Sequence, residues 1–146
     1  LEMGGYLISE ASRRKERMDR IFEQLPFLHE KRKRAARSLS GGERQLLAIG
    51  MGLMTEPDLL LLDEPSMGLS PRMMSRVFSW IMKIHEAGKS ILMVEQNAKQ
   101  ALELAHRGYV LDLGTNRFEG RARDLLDDPK VKRLYLGGGE MDENLS

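Results

Sequence analysis

The chain has 146 residues, enough for one globular domain with a core and too few for two of ordinary size. Its 23 Lys and Arg against 22 Asp and Glu leave a net charge of +1, which gives no overall field for nucleic acid or an anionic membrane. With no cysteine, disulfides and thiolate metal sites are excluded and the cytoplasm is the expected setting; apolar runs such as Leu59 to Leu62 fall far short of the ~20 residues of a membrane-spanning helix.

The chain opens in a helix-like segment with no leading strand and no initiator Met, which reads as a sequence that starts midway. From Ser12 to Leu25, Met18, Ile21, Phe22 and Leu25 recur at i, i+3, i+4 and i+7 between charges, which predicts an amphipathic helix stopped by Pro26. Residues 1–38 are therefore expected to be helical and rich in surface. A second helix is predicted after Ser40, with Leu46, Ile49, Gly50, Leu53 and Met54 on one face and Pro57 closing it. Gly50 and Gly52 should weaken it by ~1 kcal/mol each relative to Ala.

Leu59 to Leu62, ending in Asp63 and Glu64, has the pattern of a strand buried on both faces, as in parallel sheets. Met74, Val77, Phe78, Ile81 and Ile84 mark a helix from Pro71 to Gly88, and Ser90 to Val94 supplies the next strand, completing a βαβ unit. A short helix with Ala98, Ala101, Leu102 and Ala105 follows. Two strands are then expected, Tyr109 to Leu113 and Arg117 to Glu119, joined by a turn of Gly114, Thr115 and Asn116. Helical pieces at Arg121 to Leu126 and Lys130 to Leu136 precede Gly137-Gly138-Gly139 and an acidic tail expected to fray. The fold class is α/β.

Leu39-Ser40-Gly41-Gly42-Glu43 stands where a helix begins, so the Ser hydroxyl and unpaired backbone N–H groups can converge on an anion. A serine N-cap with a flexible turn is the simpler use of Ser-Gly-Gly alone, yet the five-residue string would arise by chance in a chain this long on the order of a few times in ten thousand. Asp63 and Glu64 end an apolar strand, and ligands collect at the carboxyl ends of parallel strands. A carboxylate there can hold hydrated Mg²⁺ and a second can deprotonate water.

Together these residues resemble ATP-binding subunits of ABC transporters. Leu39 to Glu43 is similar to the signature motif, Leu59 to Glu64 to the Walker B strand with its glutamate, and Ser66-Met67-Gly68-Leu69-Ser70-Pro71 to the D-loop. Val94-Glu95-Gln96-Asn97 falls at the switch loop, with Gln96 where His is usual. That feature, with Tyr109 to Leu111, Glu119-Gly120 and Tyr135 to Gly138, resembles the branched-chain amino acid importer group. Glu43 replaces the more widespread Gln, and Met51 stands where Arg is common.

The resemblance implies the C-terminal portion of a P-loop NTPase domain: residues 1–38 as part of the helical subdomain, and 39–146 as signature helix and ATPase core. It implies ATP and Mg²⁺ as cofactors, with Leu39, Ser40, Gly41, Gly42, Glu43, Ser66 and Gly68 binding nucleotide. Asp63 would bind Mg²⁺ through water, Glu64 would be the general base, and Gln96 would contact γ-phosphate or the attacking water. Partners would be a second ATPase subunit, identical or not, and transmembrane permease subunits, placing the protein peripherally on the cytoplasmic face of the inner membrane. Import of branched-chain amino acids is the first reading. Urea import, lipid-linked or lipopolysaccharide export, a soluble ABC protein and a non-catalytic binding module are the alternatives.

No G-x-x-x-x-G-K-[ST] occurs in the sequence, and the Q-loop is missing too, so the chain alone is expected neither to bind ATP tightly nor to turn it over. Acids with Met18 and Ile21 interleave the basic stretch Arg13 to Lys15, no aromatics stack beside Lys31 to Arg34, and nucleic acid is not an expected partner. His29, His85 and His106 share no ligand spacing and receive no role. Met51, Met54, Met74 and Met82 lie in or beside apolar stripes, as core filling.

Overall fold

The computed structural model describes residues 1–136; the Gly137 to Gly139 stretch and the tail lie outside the described residues. The chain divides into two compact units, Leu1–Val94 and a second from Glu95 onward.

The first unit begins with a 3-10 turn, Glu2–Gly5, and then α1, Ala11–Gln24. Pro26 ends α1 as expected, but it also begins α2, Pro26–Glu30, at the first helical position. There its missing N–H costs no hydrogen bond and its fixed φ suits a helix. A further 3-10 turn, Ala36–Ser38, leads into α3, Gly41–Leu53. α3 remains unbroken through Gly50, which lies buried. A Cβ there would meet Leu1 Cδ2 and Leu28 Cδ1 at 3.2 Å and Ile21 Cγ2 at 3.4 Å, so the glycine is what lets the N-terminal helices press onto α3. Gly4 makes a closer approach still: a Cβ would stand 2.4 Å from the Met51 carbonyl oxygen.

The α3 chain end is fixed by charge. Arg17 donates from Nη1 to the Met54 carbonyl at 2.9 Å and pairs through Nη2 with Glu56 at 2.8 Å, and Arg20 meets the same carboxylate at 2.8 Å. One orphan carbonyl of the last turn thereby gains a cationic donor.

β1, Leu59–Asp63, and β2, Ser90–Val94, pair in parallel, with Leu60 opposite Ile91 and Asp63 opposite Val94. Between them runs α4, Pro71–Glu86, giving the βαβ unit read from the sequence. Its core combines Ile21, Leu25 and Leu28 with Leu46, Ile49 and Met54, and Leu60 and Leu62 with Val77, Phe78, Ile81 and Ile84.

Among the described residues β1 is covered on one face, not on both as expected. Leu60 and Leu62 are buried, whereas Leu59 and Leu61 are 51% and 66% exposed. Leu92 and Val94 on β2 are each 57% exposed. Side chains alternate across a strand, so one register feeds the helical core and the other lines an uncovered apolar face. Four consecutive leucines carry no alternation from which that difference could be read.

The second unit contains α5, Ala98–Leu104, β3, Arg107–Asp112, β4, Thr115–Arg121, α6, Ala122–Asp127, and α7, Pro129–Tyr135. β3 and β4 form an antiparallel hairpin. The expected three-residue turn is corrected: Thr115 and Asn116 belong to β4, and the loop is Leu113-Gly114, with φ of 47° and 75°. Two left-handed residues in succession suit the twist of a two-residue hairpin, and leucine is a rare choice for the first. Leu102, Ala122, Leu125 and Val131 form the core, flanked by Phe118, Leu126 and Leu136. The Tyr135 hydroxyl is pushed up in pKa by burial first and by its hydrogen bond to Asp112 second.

Candidate functional site

The turn ahead of α3 is held by a reciprocal pair of hydrogen bonds. Ser40, the N-cap, accepts from the Glu43 N–H at 3.4 Å, while the Glu43 carboxylate accepts from the Ser40 N–H at 3.0 Å. This capping box satisfies two of the donors that a helix start leaves open. Ser40 and Gly41 are exposed, Leu39 is buried beneath them, and Gly42 is buried. The Leu39 carbonyl accepts from Arg44 Nη1 at 2.6 Å, which fixes the entry to the turn from the other side.

Glu43 is tied in turn to Lys31 by an ion pair. Its carboxyl is held below the usual carboxylate range, first by the Lys31 hydrogen bond and then by the Ser40 N–H. Lys31 lies at the end of α2, twelve residues away. Sequence reasoning missed it, because no periodicity joins a helix-end lysine to a glutamate in the next helix. Its location in a basic run is the one signal that the sequence offers.

At the carboxyl end of β1, Asp63 is exposed and Glu64 half-buried. Glu64 takes a left-handed backbone, φ 44°, an uncommon state for a residue with a Cβ. Its N–H donates to the Val94 carbonyl at 2.9 Å, continuing the sheet ladder by one bond, and its carbonyl accepts from the Met67 N–H at 3.0 Å. The reversal therefore comes immediately after the strand, with Pro65 and Ser66 buried and Gly68 exposed at φ 70°. Ser70 then stands at the N-cap position of α4 without a side-chain cap bond, and Pro71 is the first helical residue.

The two segments touch. A Cβ on Gly41 would lie 3.8 Å from Leu69 Cδ2, and one on Gly42 would meet Met73 Cε at 2.5 Å and Met73 Cβ at 3.2 Å. The start of α3 thus rests on the turn after β1 and the first turn of α4, and Gly42 is the residue whose small size permits it. Gln96 is exposed and belongs to the second unit, where its carbonyl accepts from Ala98 N–H at 2.8 Å. Among the described residues no cluster of three or more His, Asp or Glu side chains is placed to hold a metal ion. His29 packs edge-on against Phe22 at 5.3 Å between ring centres, and His85 Nδ1 lies 3.0 Å from the Lys89 carbonyl. Met54 is fully buried, in keeping with core filling. Nothing in the structure explains Met51 in place of Arg.

The family model described as ABC transporter matches residues 4–67. Over 138 residues the chain is 44% identical to the high-affinity branched-chain amino acid transport ATP-binding protein BraG of Pseudomonas aeruginosa, covering 94% of this chain and 59% of that protein.

The chain is thus similar to ATP-binding subunits of ABC transporters.

The chain is also 40% identical to the probable branched-chain amino acid transport ATP-binding protein LivF of Archaeoglobus fulgidus, over 84% of its own length and 52% of that protein's. Its fold is similar to the ADP conformation of MJ1267, an ATP-binding cassette of an ABC transporter, with a TM-score of 0.75 at 31% identity over 89% of this chain and 52% of that one. It spans about half the length of the relatives it matches. Among the described residues no helix is long and apolar enough to cross a membrane.

Proposed function

We propose that the chain supplies the signature and Walker B portions of an ATP-hydrolysing subunit that energises import of branched-chain amino acids through permease subunits. It would act peripherally on the cytoplasmic face of the membrane. The supporting observation is the turn after β1, where Glu64 leaves the strand in a left-handed conformation beside Asp63, within one packed assembly with the capped start of α3. Strained backbone that the surroundings hold in place concentrates at functional positions, and the carboxyl end of a parallel strand is where ligands collect.

Two carboxylates are too few for a protein-built cage, and they suit Mg²⁺, which takes one or two carboxylates and fills its remaining positions with water and phosphate oxygens. Asp63, exposed at the strand end, would hold it; the ion supplies charge neutralisation on the phosphates when bound. Glu64 would accept the proton of the attacking water, and a positioned base contributes ~10² to 10⁴ in rate. Gln96 would offer its amide to γ-phosphate or water. Leu39 seats the turn from which Ser40, Gly41 and Gly42 would present a hydroxyl and N–H groups to the γ-phosphate held by a second subunit, with Glu43 keeping the turn in shape. Ser66 and Gly68 would border the same nucleotide.

The test mixes the 146-residue chain with a full-length homologous subunit whose own signature serine is disabled. Turnover should be absent from either alone and appear in the mixture, falling to background with Ser40→Arg in this chain. For Glu64, the chain is exchanged for the matching segment of a homologue: Glu64→Gln should retain nucleotide binding and lose turnover at least ~100-fold. Turnover in the mixture that ignores Ser40→Arg refutes the signature assignment, and a chimaera that hydrolyses ATP without Glu64 refutes the base.

A further inference from the structure

We propose that Lys31 is a positioning residue for nucleotide: by neutralising Glu43 it makes the Ser40 turn receptive to a phosphate. The proposal rests on the reading above, in which that turn meets the terminal phosphate of ATP.

A helix start attracts anions through its open N–H groups and the positive end of its dipole. In this chain a carboxylate already takes one N–H group of that turn. Glu43 takes the Ser40 N–H at 3.0 Å and sits in the first turn of α3. Left with its full charge, it would compete with an incoming phosphate for the same field and repel it. Lys31 cancels that charge without displacing the cap, since the ammonium pairs with Oε1 while Oε2 holds the Ser40 N–H. Both side chains are largely sheltered, at 27% and 20% exposure, so the pair is less screened than an ordinary surface contact. The lysine is fixed where it is needed, because its backbone N–H closes α2 by donating to the Phe27 carbonyl at 3.1 Å. Arg44, whose guanidinium is directed to the Leu39 carbonyl, does not contact the carboxylate.

A lysine that merely ties α2 to α3 and one that compensates charge predict different outcomes when both partners are removed. The assay is Ser40-dependent turnover of the complete chain mixed with the signature-disabled homologue. Lys31→Met should raise the KM for Mg-ATP about three- to tenfold with kcat within twofold, the effect of one uncompensated charge near the phosphate. Lys31→Arg should restore it. The double variant Lys31→Met with Glu43→Gln should bind ATP better than Lys31→Met alone, because the offending charge is gone. Unchanged KM in Lys31→Met, or a double variant no better than the single, overturns the proposal even when turnover still depends on Ser40. Turnover indifferent to Ser40→Arg removes the underlying reading and the proposal with it. Should Lys31→Met be poorly folded by circular dichroism, comparing Lys31→Arg with the double variant decides the matter: a structural tie predicts that only the arginine variant works.

Discussion

Glu64 is the residue where stability and activity should pull in opposite directions. Its φ of 44° places a Cβ-bearing residue in the left-handed region, at a cost of about 1–2 kcal/mol that glycine would avoid. Glycine in turn gives back about 0.5–1 kcal/mol through the freer unfolded chain. Glu64→Gly should therefore exceed Glu64→Ala in stability by about 0.5–1 kcal/mol. Comparing these two variants removes the carboxylate from both, so whatever the side chain itself contributes cancels. The difference corresponds to a gap of about 1–4 °C in unfolding midpoint for a chain of this size, measurable by calorimetry or circular dichroism. Both variants should be equally dead as catalysts in the chimaeric subunit. If alanine proves as stable as glycine, the left-handed backbone at Glu64 carries no strain and the argument from strain to function fails.

The same reasoning at an exposed position gives a simpler result: Leu113→Asn should stabilise the hairpin by about 0.5–1 kcal/mol, because asparagine suits the first left-handed turn residue and Leu113 is 91% exposed; an unchanged midpoint would refute it. Arg17→Ala should cost about 2–3 kcal/mol in urea unfolding, chiefly from the Met54 carbonyl left without its cationic donor, since Glu56 is partly exposed and keeps Arg20. A loss under about 0.5 kcal/mol would mean that water replaces the guanidinium. Glu43 has a folded pKa below its ordinary value of 4.5, so its contribution is complete above about pH 4.5 and is lost as pH falls through the lowered folded value. The stability advantage of the native chain over Glu43→Gln should accordingly be flat from neutrality to pH 5 and shrink below it, and a constant gap at all pH values would contradict the pairing.

The elements best read from the sequence were those whose signals are local. The stripe Met18, Ile21, Phe22, Leu25 announced α1, and Ser40 ahead of the face of Leu46, Ile49 and Leu53 announced α3. The alternation of strand, helix and strand from Leu59 to Val94 gave the parallel pair. What escaped depends on facts that a linear pattern does not hold. Pro26 was read as a stop because a proline that ends one helix and begins another looks the same from the N-terminal side. The two faces of β1 were indistinguishable because four leucines in a row fit either. The Leu113-Gly114 turn was displaced because leucine seldom adopts positive φ, so Gly114 was grouped with the polar residues after it. In the candidate site, the residue types were legible, whereas the Lys31 contact and the packing of Gly42 on Met73 arise only when separate segments meet.

Gly4 and Gly50 both lie against α3, yet they should leave different traces in the divergence of related chains. The neighbours of Gly50 are the tips of Leu1, Leu28 and Ile21 at 3.2–3.4 Å, groups that a second substitution can shorten. An alanine at that position is expected to travel with a smaller residue at one of the three, as a correlated pair. The neighbour of Gly4 is the Met51 backbone at 2.4 Å, and no exchange of side chains can retract a carbonyl. Relatives that keep this crossing should hold glycine there without a compensating partner, and those that lose it should have moved the whole N-terminal turn.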